Sequence, residues 1–201
     1  MSAKDAVRLR TRLTDSRGAW KLRVPVVLAP MAGAAGGALA AATARAGGLG
    51  FIAVGHGRDL AKLREEVALY RSHAPAAAPL ALGFIGFSAA ARAAEGDGVL
   101  TEVLAEHSPT VVQFFAPAIV DGGENVRVAQ AAGALVFAQV GSLAEAKEAL
   151  GHGVDGIMAQ GREAGGHGMR CAQSMHRACS RLACAPSLLP CCAAFVCARG
   201  L

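Results

Sequence analysis

The chain has 201 residues, 53% hydrophobic and 17% charged, with 25 glycines, 8 prolines and a formal net charge of +5. That excludes a disordered chain, which is poor in apolar residues, and supplies a core for one domain, or one and a fragment. All 15 acidic residues precede residue 170, whereas Arg170, Arg177, Arg181 and Arg199 follow it; no basic stripe interleaves with aromatics, so nucleic-acid binding is not supported.

The N-terminal MSAKDAVRLRTRLTDSRGAW is charged and has no apolar run of the kind a secretory signal carries, so a cytoplasmic protein is expected. Residues 24–29 (VPVVLA) read as a strand, followed by the glycine-bearing PMAGAAGG and a helix over 38–46 closed by Gly47 and Gly48. A second strand falls at 49–54. Residues 59–72 form the clearest amphipathic helix, with Leu60, Leu63, Val67 and Tyr70 at helical spacing. A third strand at 80–87 leads into helical material ending near His107, and a fourth follows at 110–115. After a helix over 125–132 comes a fifth strand at 134–139. The helix over 142–150 opens on a capping box, with Ser142 as N-cap and Glu145 three residues on. The sixth strand is 154–160.

Six β-α alternations argue for a parallel sheet. The strands are continuous apolar runs, as expected where both faces are covered. An open doubly wound sheet and a (β/α)8 barrel both satisfy this pattern. The glycines after the first strand lack the G-x-G-x-x-G spacing of a dinucleotide site. Uncharged stretches at 24–44 and 74–91 approach the ~20 residues of a membrane span. Pro25, Pro30, Pro75 and Pro79 interrupt them, and the protein reads as soluble, with no membrane partner.

Past residue 170 the periodicity stops. Cys171, Cys179, Cys184, Cys191, Cys192 and Cys197 all lie there, at spacings that miss every CxxC pairing of a zinc site, so no metal is expected. This abrupt change of composition favours a segment read from another frame or an intron over a divergent helix.

The segment with chemical content is Gln160-Gly161-Arg162-Glu163-Ala164-Gly165-Gly166-His167-Gly168, directly after the sixth strand. Small residues there let backbone approach a flat ligand, an amide suits a heterocycle edge, and a histidine exchanges protons near neutrality. His56, after the second strand, is a weaker candidate. Glu163 reads as solvated or capping, His107 and His152 as helix-end residues near the C-terminal dipole, and Asp155 as structural.

QGREAGGHG following GVDGIMA resembles the signature of the nitronate monooxygenase (2-nitropropane dioxygenase) family, to which the flavin-dependent enoyl-ACP reductases are related. VPVVLAPMAGAAGGALAAATARAGGLGFIA is similar to the family's first βαβ unit, and AQVGSLAEAKEALGHGVDGIMAQG to its fifth and sixth units. The resemblance runs over about residues 20–169. It implies a TIM barrel with FMN at the C-terminal mouth of its strands. Ala29, Pro30 and Met31 would lie along the isoalloxazine, Gln139 and Gln160 would face it with amides, and Gly161, Ala164, Gly165 and Gly166 would form the close-approach loop. His167 matches the catalytic histidine, and the implied reaction is oxidation of alkyl nitronates or nitroalkanes by O₂.

Two departures accompany the resemblance. Where many relatives place an asparagine against the flavin, this chain has Gly83-Phe84-Ile85-Gly86-Phe87. A TIM barrel typically needs about 250 residues, and nothing after Cys171 resembles the seventh and eighth strands, which hold the FMN phosphate. The expectation is a partial FMN-binding barrel over 1–169 and an irregular, non-family Cys-rich tail over 170–201, with impaired activity. An enoyl-ACP reductase-like flavoenzyme is the alternative within enzymes. A non-catalytic barrel remnant, with two unpaired sheet edges and homo-oligomerisation left open, is the alternative outside them.

Overall fold

A computed structural model describes residues 22–55, 59–86, 88–92, 99–161 and 164, and a strand at 195–198. In chain order the elements are α1 (Gly37–Arg45), β1 (Phe51–Gly55), α2 (Leu60–His73), β2 (Ala81–Ile85), α3 (Leu100–His107), β3 (Val111–Phe115), α4 (Glu124–Ala131), β4 (Leu135–Val140), α5 (Leu143–Gly151), β5 (Gly156–Ala159) and β6 (Phe195–Ala198). The sheet runs in sequential order from β1 to β6. β1 to β5 are parallel. A doubly wound sheet reverses its strand order at a switch point, and no reversal occurs among these strands. The architecture is α/β, wound in one direction as an incomplete (β/α)8 barrel.

The sheet has six strands, but not the six expected. Residues 24–29 contribute only an isolated parallel bridge, Val27 to Leu49, supported by Leu28 N donating to Leu49 O at 2.9 Å and Leu49 N to Val26 O at 2.9 Å. Pro25 has no N–H for a ladder, and Val26 is 55% exposed. The sixth strand comes instead from the tail. Phe195–Ala198 pairs antiparallel with β5, Cys197 opposite Ile157. The tail is therefore not irregular throughout, and the β5 edge expected to be open is covered.

Both faces of the sheet are apolar for different reasons. Ile52, Leu82, Phe84, Val112, Phe114, Val136, Ala138 and Ile157 pack against the helices, with Leu63, Val67, Val103, Leu104, Val126 and Ala149 opposite them. The other face joins Leu49, Phe51, Ala81, Val111, Phe137 and Met158 in a second cluster with Leu22. Burying a Phe such as Phe51 or Phe137 is worth about 1.5–3 kcal/mol. Gly156 faces the Phe137 ring so closely that a Cβ there would overlap it.

The helices start and stop where local chemistry dictates. Ser142 caps α5, its hydroxyl accepting from Glu145 N at 3.2 Å, while the Glu145 carboxylate accepts from Ser142 N at 3.1 Å and from Gly141 N at 2.7 Å. Asp59 caps α2 through Lys62 N at 3.0 Å. The first turn of α1 is completed from a distance, by the Glu66 carboxylate accepting from Gly37 N at 2.6 Å. Among the described residues no helix is long and apolar enough to cross a membrane.

Candidate active site

Parallel strands deliver all their C-terminal ends to one rim, the face on which β/α barrels carry active sites. The inward-facing register row at the middle of the sheet is Ala53, Gly83, Gln113, Phe137 and Gly156. One residue pair further along β4 and β5 come Gln139, opposite Met158, and then Gln160 just past β5.

The Ala29-Pro30-Met31 segment crosses the sheet at this row, with Pro30 against Gly83. A Cβ at Gly83 would fall on the Pro30 ring, so the glycine is what lets the proline sit against the sheet. The turn after it is fixed by Ala34 N and Ala35 N donating to Met31 O at 3.0 and 2.7 Å, and by Ala53 N donating to Ala35 O at 3.0 Å. Ala29 is exposed and Pro30 half-buried, while Met31 is 43% exposed. The proline ring and the methionine beside it thus offer an apolar platform.

Gln139 and Gln160 are brought together. Gln139 Nε2 donates to Gln160 Oε1 at 2.9 Å, and Gln160 N donates to Val140 O at 2.9 Å. The chain of amides extends one residue deeper than the sequence analysis found. Gln113 Nε2 donates to Gln139 Oε1. Gln113 is 1% exposed, and its Oε1 has no hydrogen-bond partner. Leaving a buried acceptor unsatisfied costs about 1–3 kcal/mol, so this atom marks a place built for a donor. The signal was present in the sequence: a polar residue inside the apolar run VVQFF needs a partner.

Beyond Gln160, Gly161 O accepts from Ala164 N at 3.2 Å, beginning the small-residue loop. Ala164 is exposed. Gly165, Gly166 and His167 lie outside the described residues, as do Glu163 and His56. The Gly83–Gly86 segment carries no polar side chain toward the amides. Instead Gly86 N donates to Phe115 O at 2.6 Å, and a Cβ there would strike Pro117 O. A cleft of about 40 Å³ beside Gln139, lined by Pro117, Ala118, Ile119, Val140, Glu145 and Glu148, has room for water rather than a ring system.

The described site groups, from Ala29 to Ala164, are uncharged. Perturbed titrations lie elsewhere, on the outer helices. Arg64 holds the Glu106 carboxyl below its ordinary range through a hydrogen bond of 2.6 Å. Burial pushes the Tyr70 phenol up to about 12, and its hydroxyl donates to Pro79 O at 2.8 Å. His107, the last residue of α3, is 4% exposed, and burial lowers its pKa, favouring the neutral ring over the cation that would complement the helix dipole. His152 packs on Gly123. Asp155 accepts from Val136 N at 2.8 Å and from Gln130 Nε2 at 3.2 Å, tying the start of β5 to β4 and α4. Among the described residues no three His, Cys, Asp or Glu side chains gather as a metal site.

No protein-family profile matches the chain, and no curated protein does. Solved structures do. FabK from Thermotoga maritima superposes with a TM-score of 0.65 at 29% identity, over 81% of this chain and 48% of that one. Nitroalkane oxidase from Streptomyces ansochromogenes superposes with a TM-score of 0.60 at 28% identity, over 78% of this chain and 50% of that one. The chain thus spans about half the length of these two structures.

Proposed function

We propose that this chain carries the ring-binding half of a flavin site and acts on alkyl nitronates or nitroalkanes. The observation that carries the reading is the inward-facing row in which Pro30 rests on Gly83, next in register to Gln113, whose amide is hydrogen-bonded to Gln139 and through it to Gln160 toward the strand ends. The residues fit an isoalloxazine. Pro30 and Met31 offer a flat apolar surface, the amides offer donors and acceptors to a heterocycle edge, and the orphaned Gln113 Oε1 shows that the amide chain is not saturated internally. The similarity to a solved nitroalkane oxidase supports the same reading.

Ala29, Pro30 and Met31 would hold the ring from below, Gln139 and Gln160 would fix its polar edge, and Gly161 with Ala164–Gly166 would let backbone close over it. Bound FMN supplies the redox chemistry between substrate and O₂. His167 takes the proton from the carbon α to the nitro group of a nitroalkane, or assists a nitronate that is already formed; a positioned base contributes about 10²–10⁴-fold. A second reading, flavin-dependent reduction of an enoyl thioester by a reduced nicotinamide, rests on the Ala164-Gly165-Gly166-His167 loop common to both branches of the resemblance.

The experiment is a pair of turnover assays on the purified chain at saturating FMN, one with a nitronate and O₂, the other with an enoyl thioester and NAD(P)H. Nitronate turnover lost on His167→Ala supports the first reading. Turnover of the thioester alone replaces it with the second. A chain that takes up no flavin and turns over neither is the barrel remnant.

A further inference from the structure

We infer that Asn125 is a positioning residue of the proposed site: its buried amide clamps the loop over 116–120 between the end of β2 and Gln139 near the end of β4. Asn125 is the second residue of α4 and is fully buried. Its Nδ2 donates to Ala118 O at 2.8 Å, and its Oδ1 accepts from Val120 N at 3.2 Å. One side chain thus ties down two loop residues. Its orientation is forced, because a turned amide would set N–H against N–H and oxygen against oxygen.

The loop is held against its own preference. Ala116 and Asp121, at its two ends, have φ of 42° and 50°. Left-handed backbone is costly for an L-residue with a Cβ and persists where the surroundings enforce it. On one side Pro117 O lies against Gly86, where a Cβ would strike it, and Gly86 N donates to Phe115 O. On the other, Pro117, Ala118 and Ile119 share a cleft of about 40 Å³ with Gln139 and Val140. The loop therefore borders the amide that is bonded to both Gln113 and Gln160. Without the clamp, Ala116 can leave the left-handed region and the loop can draw back. Water then reaches Gln139 and competes for its hydrogen bonds. A purely structural Asn125 would lower stability and leave Gln139 as it is. The inference rests on the flavin reading only for the ligand that Gln139 meets.

The test substitution is Asn125→Asp. Ionised, the carboxylate still accepts from Val120 N but opposes Ala118 O; protonated, it offers a donor and an acceptor as the amide does. Burial raises the pKa of a carboxyl, so the clamp is broken at about pH 8 and restored at about pH 5. The Gln139 side-chain amide resonance is followed by ¹⁵N NMR without ligand. Riboflavin, which has no phosphate to titrate, is then added and followed by absorbance. At the alkaline end the Gln139 resonance is expected to shift and lose protection against solvent exchange. Riboflavin there binds about fivefold more weakly, the worth of one neutral hydrogen bond, and both effects reverse at the acid end. The unmodified chain over the same range accounts for the charged groups around the loop, Asp121, Glu124, Glu145, Glu148 and His152. Val67→Ala, a core truncation in α2, is the stability control and leaves both readouts unchanged. A Gln139 resonance that Asn125→Asp does not move overturns the inference, as does one that Val67→Ala moves equally or one that stays shifted at the acid end. Unchanged riboflavin affinity overturns it too. Should Asn125→Asp fail to fold, Asn125→Ser, uncharged and shorter, is read on the same resonance: a shift supports the clamp, and none overturns it. If the unmodified chain binds no riboflavin, the flavin reading fails, and the Gln139 resonance alone judges the clamp.

Discussion

Gly83→Ala tests whether the platform and the amides belong to one site. An added Cβ would lie 2.5 Å from Pro30 Cγ, against an ordinary carbon–carbon separation of about 3.5–4.0 Å. The proline ring cannot rotate aside, so the 29–31 turn must retreat by about an ångström. Overpacking of this kind costs about 1–3 kcal/mol, offset by about 0.4–1 kcal/mol from the smaller freedom of alanine in the unfolded chain. The net expectation is a loss of about 1–2 kcal/mol, or a fall in the urea midpoint of about 0.5–1 M at a slope of ~2 kcal/mol/M. Because the displaced ring is the platform, FMN affinity falls by about tenfold, the equivalent of ~1.4 kcal/mol. Gly151→Ala is the control. It sits at the end of α5 with nothing near its added Cβ, and it gains up to about 1 kcal/mol from helix propensity. A Gly83→Ala chain with unchanged midpoint and unchanged FMN affinity refutes the reasoning.

Ser142→Ala removes the α5 cap and lowers stability by about 0.5–2 kcal/mol, measured by chemical denaturation; no change would mean that Glu145 alone satisfies the helix start. Burial raises the Tyr70 phenol from 10.0 to about 12, so the unfolded phenol ionises first. Its contribution is present below pH 10 and lost as pH rises toward 12. Tyr70→Phe flattens that alkaline decline, and an unaltered slope argues against the buried phenol as its source. Since the described site groups are uncharged, riboflavin and FMN bind the isolated chain with affinities within about threefold. A much tighter FMN, seen by fluorescence quenching, would mean that other residues of the chain grip the phosphate.

Much of the fold was legible because parallel strands buried on both faces write themselves as apolar runs. VVQFF, ALVFAQ and VDGIMAQ are found in β3, β4 and β5 within two residues of their expected ends. The α5 capping box was readable because both halves of it are local. Non-local features were not readable. The 24–29 run looks like any other strand, and only the packing of Val26 into solvent and the missing Pro25 N–H reduce it to a bridge. FVCA in the tail is too short for its apolar character to separate strand from helix, and its pairing with β5 bridges nearly forty residues of chain. Gln139 and Gln160 were placed at strand ends by resemblance to a family. The sequence does not assign Gln113 to the site, because which face a strand residue takes depends on phase, and a one-residue slip sends it to the other side. Its burial and its bond to Gln139 appear only once β3 and β4 are set in register.

The central claim is that the strand-end amides, with Pro30 beside them, bind a flavin ring. Its most direct test is an absorbance titration of FMN with the purified 201-residue chain, repeated with Gln139→Leu, which removes the hydrogen bonds to both Gln113 and Gln160. The account predicts a shifted, structured flavin band that saturates with protein and weakens by about fivefold or more in the variant, the worth of at least one hydrogen bond. A flavin band that the chain leaves unchanged at every concentration, or one that shifts equally with Gln139→Leu, contradicts it.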